Sequence, residues 1–395
     1  MTFHIQDPGN PNTSYLIEIL LAECQHATAG GASFAWASSR GINLLIENPQ
    51  FTHFLHQYAF ELIVGVDAVT DESALQALCR LQEEFPKFSV SVFLNGYAGS
   101  MFHPKVCWFS RTHDGALITG SGNLTEGGLS KNWEAFTVTA LDKSELTSIQ
   151  AQWSAWKNSY GSDLFGPSHT AVVDRAKRNA KVAAATVSLL AAAELSASSG
   201  PTKKALAKKL PGNKPVGTKP AANAAPSTSL GTPVPTHQPL DILLAEIPRG
   251  SSRWNQANFD LDSYENYFGA KVGTTRHMFF RHVNPDGTLA NTETRPSVAV
   301  KSSNWRFELA AAAGLKYPAK GRPIAIFVKQ ASRNFLYRLV MPGDPAYSIA
   351  EKLLTSNWHG PAGRIKRVRI ARSALEQAWP NSPLWKVSDT EPPNA

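Results

Sequence analysis

One stretch constrains this chain more than any other: residues 102–134, FHPKVCWFSRTHDGALITGSGNLTEGGLSKNWE. Two β-like runs (Val106, Trp108, Phe109 and Ala116, Leu117, Ile118) flank a His-Asp-Gly hairpin signal, in which His113 reads as a turn residue. His103 and Lys105 stand two apart on an extended segment, so imidazole and ammonium share a face. After the second run comes a glycine-flanked turn with Ser121 and Asn123. There an amide side chain and backbone N–H groups can approach a ligand closely. Glu134 closes the stretch.

These residue types suit attack on a phosphodiester, whose oxygens repel nucleophiles. Lys105 can neutralise a nonbridging oxygen, and Asn123 and the Ser121 hydroxyl can hydrogen-bond others. His103 can attack phosphorus through a ring nitrogen and form a phosphohistidine. Attack needs a neutral imidazole, and protonation of the leaving oxygen needs an imidazolium. Two histidines in different protonation states are therefore required. Glu134 is placed to hold the other ring nitrogen of His103 and fix its tautomer. The sequence has no HExxH and no zinc-finger spacing. The set is expected to work with no metal and no cofactor.

His-x-Lys followed by Gly-Ser-x-Asn resembles the active site of the phospholipase D superfamily. That family usually carries two copies of the motif, one per half of a pseudo-dimer. Here His277, His282 and His359 have no lysine two residues on, so the copy is single. The resemblance then implies a homodimer with one composite site on its two-fold axis. The family's Asp five residues after the Lys is replaced by Ser110, with Asp114 further on. Glu134 is the candidate for the acidic role.

A chain of 395 residues is long for one core and predicts two domains. Residues 1–165 alternate strands and helices, as an α/β phospholipase D-like catalytic and dimerisation domain would, with a mixed sheet flanked by helices. Strands are expected at 32–37, 61–66, 89–93 and 134–139. Helices are expected from Gly41, from Thr70 with its acidic first turn, and after Asn123. Residues 166–240 are a basic Lys/Pro/Ala-rich linker with a short helix, few aromatics and no core of their own. Residues 241–395 show apolar alternation at 297–301, 323–329, 335–340 and 365–370, separated by Gly/Pro turns. This predicts a β-rich barrel with helices near 308–314 and 349–356.

Charge is divided unevenly. Residues 1–160 hold 8 Lys and Arg against 15 Asp and Glu, and the remainder 31 against 16. The half with the motif is acidic, so attraction to a polyanion falls to the basic remainder. Candidate DNA contacts lie in the arm with Arg249, Arg253, Trp254, Gln256 and Asn258, and in the strip Arg364, Lys366, Arg367 and Arg369. The two-part plan resembles the metal-independent restriction endonucleases of the superfamily, BfiI-like and NgoFVII-like. That resemblance implies a C-terminal B3-like pseudobarrel that recognises double-stranded DNA.

Cys24, Cys79 and Cys107 lack CxxC spacing and read as free thiols in a reducing compartment. The N-terminus shows no signal pattern and no apolar run reaches membrane-spanning length, so a soluble, cytoplasmic protein is expected. Two other readings remain: a nonspecific or damage-related nuclease of the same superfamily, and a phospholipid headgroup hydrolase.

Overall fold

In the first part of the chain, β-branched and aromatic runs alternate with capped helices, as the sequence pattern predicts. The computed structural model describes residues 1–96, 100–179, 181, 241–249, 254–300 and 304–387. Residues 1–180 and 239–395 form one compact unit, and residues 181–238 divide off as a second. The tether expected within 166–240 falls outside the described residues from 182 on.

The first elements are β1 (Thr2–Gln6), α1 (Leu16–Cys24), β2 (Ala29–Phe34), α2 (Ser39–Leu45), α3 (Pro49–Gln57), β3 (Ala59–Gly65) and α4 (Glu72–Glu84). Then come β4 (Phe88–Phe93), β5 (Lys105–Ser110), β6 (Gly115–Gly120), β7 (Glu134–Leu141), α5 (Lys143–Ser159) and β8 (Leu164–Phe165). A further helix, α6, covers residues 170–179. The strands make one mixed sheet in the order β1-β7-β6-β5-β2-β3-β4-β8. Within this sheet, among the described residues, only the pairs β2–β3 and β3–β4 are parallel.

Local chemistry explains the helix ends. Asp71 accepts the Ala74 N–H at the start of α4, and apolar residues then recur at helical spacing through Leu81. Pro86 follows the helix and cannot continue it. Asp142 and Glu145 form a reciprocal capping box at α5. One sheet face packs α1 to α4 and α6 around Phe34, Leu62, Val64 and Phe109. The other face carries Ile63 and Trp108 and is covered by α5.

The later elements are β9 (Ile242–Glu246), β10 (Gln256–Phe259), β11 (His277–His282), β12 (Glu293–Pro296), β13 (Val298–Val300) and β14 (Asn304–Glu308). They continue with β15 (Ile324–Ala331), β16 (Asn334–Val340), α7 (Tyr347–Ser356), β17 (Arg367–Ile370) and α8 (Arg372–Ala378). They form a six-stranded sheet, β12-β11-β16-β15-β9-β17, and a three-stranded one, β10-β14-β13. An aromatic core of Phe259, Phe268, Phe280, Phe307, Phe327 and Phe335 joins them. Among the described residues neither strand order closes into a barrel. The helix expected near 308–314 is a single 3-10 turn, Ala310–Ala312, because Gly314 at φ 73° ends it.

The β15–β16 hairpin reaches into the first sheet's helices. Its two-residue loop is Ser332-Arg333, and Arg333 adopts φ 58° while almost fully buried. Arg333 donates to Glu18 Oε1 at 2.5 Å and to the Thr13 carbonyl at 2.6 Å, and lies 4.4 Å over the Tyr15 ring. Asn334 donates to the Ser130 carbonyl at 3.0 Å. Cys24 and Cys107 are buried thiols and Cys79 is half-buried. Among the described residues no helix is long and apolar enough to cross a membrane.

Candidate active site

The β5–β6 hairpin assembles the motif. Val106 pairs with Thr119, so the residues just before β5 face those just after β6. Phe34 pairs with Lys105, which brings the segment after β2 to the same place. Gly120 pairs with Phe136, which brings in the start of β7. His103, Lys105, Ser121, Asn123 and Glu134 therefore leave the sheet at one end, joined by Trp36.

Lys105 Nζ lies 3.0 Å from His103 Nδ1 and 3.1 Å from Nε2, and also donates to the His103 carbonyl at 3.2 Å. An ammonium can only donate, so Lys105 is the donor in whichever of these contacts is a hydrogen bond. The Trp36 ring meets the imidazole edge-to-face at 5.2 Å, and Lys105 Nζ sits 5.7 Å from the same indole. Desolvation lowers the Lys105 ammonium below its ordinary pKa, and the charge of Glu134 partly restores it.

Asn123 Oδ1 accepts the Trp36 N–H at 3.3 Å, which leaves its NH₂ group to donate to a ligand oxygen. Backbone bonds lock this loop: Leu124 N–H to the Trp36 carbonyl at 3.1 Å, and Ser38 N–H to the Leu124 carbonyl at 3.0 Å. Ser121 donates its hydroxyl to Glu134 and accepts the Ala135 N–H at 3.0 Å. Glu134 therefore holds Ser121 in this structure, where the sequence reading paired it with His103. The Ser121 proton is committed to Glu134, which leaves Lys105 and Asn123 as the motif's other side-chain donors.

Two supports were missed from sequence. Asp67 accepts the Phe102 N–H at 3.0 Å and pairs with Arg175 at 3.1 Å, fixing the backbone beside His103. Glu126 is buried three residues past Asn123. It pairs with Lys131 at 3.0 Å and Arg281 at 3.3 Å, and accepts the Thr292 hydroxyl at 2.8 Å. Three cationic or hydroxyl partners outweigh burial and hold its pKa below the ordinary value. The carboxylate three residues after Asn123 was the only sequence signal. Its partners come from distant strands.

The expected DNA contacts are less uniform. Arg253 lies outside the described residues, and Arg249 and Arg364 are exposed. Trp254 is a core residue: its indole donates to the Leu315 carbonyl at 2.8 Å and meets Tyr317 edge-to-face. Its ring is not offered for stacking. Gln256 accepts from Arg306 at 2.9 Å. Arg367 donates to the Asn258 carbonyl at 2.6 Å and lies 3.7 Å from Asp260. Arg369 pairs with Asp262. Lys366 donates to the Thr355 hydroxyl at 2.9 Å. Among the described residues no group of three or more His, Cys, Asp or Glu is arranged to hold a metal ion.

No family model and no curated protein matches the chain. Among solved structures, NucT from Helicobacter pylori is similar at 12% identity and a TM-score of 0.28, over 38% of this chain and 90% of that one. Nuc from Salmonella typhimurium, a phospholipase D family member, is similar at 13% identity and a TM-score of 0.30, over 42% and 95%. A phosphatidylserine synthase from Haemophilus influenzae is similar at 13% identity and a TM-score of 0.32, over 47% and 46%. What the site can do is decided by its own residues.

Proposed function

We propose that this chain is a phosphodiesterase acting on double-stranded DNA, a restriction-type endonuclease that works without a divalent metal. One observation carries this reading: the Lys105 ammonium lies against both ring nitrogens of His103, and Trp36, whose ring meets that imidazole, holds Asn123 Oδ1 through its backbone N–H. The ammonium draws in a nonbridging oxygen and offsets its charge. A ring nitrogen of His103 then bonds to phosphorus as the bond to the leaving oxygen breaks. The partner's His103, as imidazolium, gives its proton to that oxygen. A water deprotonated by the now neutral imidazole next attacks phosphorus, the P–N bond breaks, and His103 is regenerated. The composite site makes the protein a homodimer through residues 1–165. Residues 241–395 act as the B3-like reader, with the exposed Arg249 and Arg364 as first contacts.

The test is cleavage and binding of duplex DNA by His103→Ala. Cleavage is expected to fall by several orders of magnitude while binding is retained. A variant that cuts near the parent rate removes His103 from the nucleophile's role.

A further inference from the structure

Between α5 and the sheet face behind His103 lies a cleft of about 650 Å³ that the phosphodiester chemistry leaves unused. Its walls are aromatic. Phe93 and Phe102 stack at 4.4 Å, and Trp156 lies 24° from both ring planes at 5.9 and 6.1 Å. His103 is itself one of the lining residues. Two of the lining residues each carry a buried polar atom with no partner among the described residues: Oγ of Ser33 and Nε1 of Trp108. Their residues are only 2% and 6% exposed. They share one sheet face on neighbouring strands, since Ser33 pairs with Val106 and Gly31 with Trp108. A hydroxyl and an indole N–H left unsatisfied inside an aromatic space call for a ligand with a flat apolar face and a polar edge.

We propose that this cleft binds a nucleobase of the strand whose phosphate sits on His103. The base leaves the helical stack, lies against Trp156, and turns its edge to Ser33 and Trp108. An acyl chain would fill the same apolar space but leave both polar atoms unpaired. The inference rests on the reading of His103 as a nucleic-acid nucleophile and narrows its substrate to strands that carry a base at that position.

The test uses the full chain with His103→Gln, so that binding is read without turnover. A short oligothymidylate is compared with an abasic oligomer of equal length and charge, so the backbone attraction is the same for both. The oligothymidylate is expected to bind about tenfold more tightly. Trp156→Ala should erase that preference and leave abasic affinity unchanged, and Trp156→Phe should keep most of it. Equal affinity for the two oligomers, or equal weakening of both by Trp156→Ala, overturns the proposal. Displacement of the oligothymidylate by short-chain phosphatidylcholine micelles, with no base preference, assigns the cleft to an acyl chain and overturns it too. Failure of the unmodified protein to cut DNA would strike the proposed function alone, because base preference is read without cleavage.

Discussion

Lys105 is the residue on which the site's electrostatics turn. Desolvation lowers its pKa, and Glu134 opposes that shift. The proposed mechanism needs the charged ammonium, so rate is expected to fall as pH rises through the Lys105 pKa. Glu134→Gln removes the opposing charge and lowers that pKa further. The alkaline limb of the pH–rate profile is therefore expected to move to lower pH, and a limb that stays put would show that the two charges do not communicate. His103, Lys105 and Asn123 were legible in sequence because their spacing on strand ends dictates a common face. The partner of Glu134 was not. Whether it meets Ser121 or His103 depends on the β6–β7 register, which no local pattern encodes. The burial of Trp254 is hidden in the sequence for a similar reason, since an aromatic among polar neighbours reads the same whether it stacks on a base or fills a core.

At the scale of elements, the hairpin, β3, β4 and α4 were visible from alternation and caps, whereas β2 runs Ala29–Phe34, three residues before the strand expected at 32–37. Helix α5 was missed, although Asp142 and Glu145 spell a capping box and Trp153, Trp156 and Tyr160 recur at helical spacing. Its polar residues masked that stripe. The turn after β6 is tightly packed: a Cβ added at Gly128 would stand 2.5 Å from the Asn123 backbone nitrogen. Gly128→Ala is therefore expected to displace Asn123 and cut turnover at least about tenfold, with only modest loss of thermal stability. Unchanged turnover would show that the loop position is not critical. Asp67→Ala leaves the Phe102 N–H and Arg175 unpaired. It is expected to cost about 1–3 kcal/mol in urea denaturation, and a neutral result would mean that water replaces it.

At the scale of the whole molecule, the sequence suggested two parts on a tether, and composition could not foretell the contact between them. That contact includes single buried groups, Arg333 on Glu18 and Arg281 on Glu126, brought together by tertiary structure alone. Burial alone would push Glu18 up, but hydrogen bonds from His277 and Arg333 outweigh it and bring its pKa to about 2. A carboxylate lowered on folding stabilises fully above its unfolded pKa and loses that contribution as pH falls. For Glu18 the window runs from about 4.5 down to about 2 and is worth on the order of 3 kcal/mol. Glu18→Gln should flatten the fall in urea midpoint across that window, and parallel curves for parent and variant would contradict the pairing. Glu126 links the same contact to the Asn123 loop, so that loop and the strands after residue 241 share a support. The central claim is that this chain's own cations and histidines do the work of a metal at phosphorus. Its most direct test is cleavage of plasmid DNA in excess EDTA: the account predicts the same rate as in Mg²⁺, and cutting that occurs only with Mg²⁺ would contradict it.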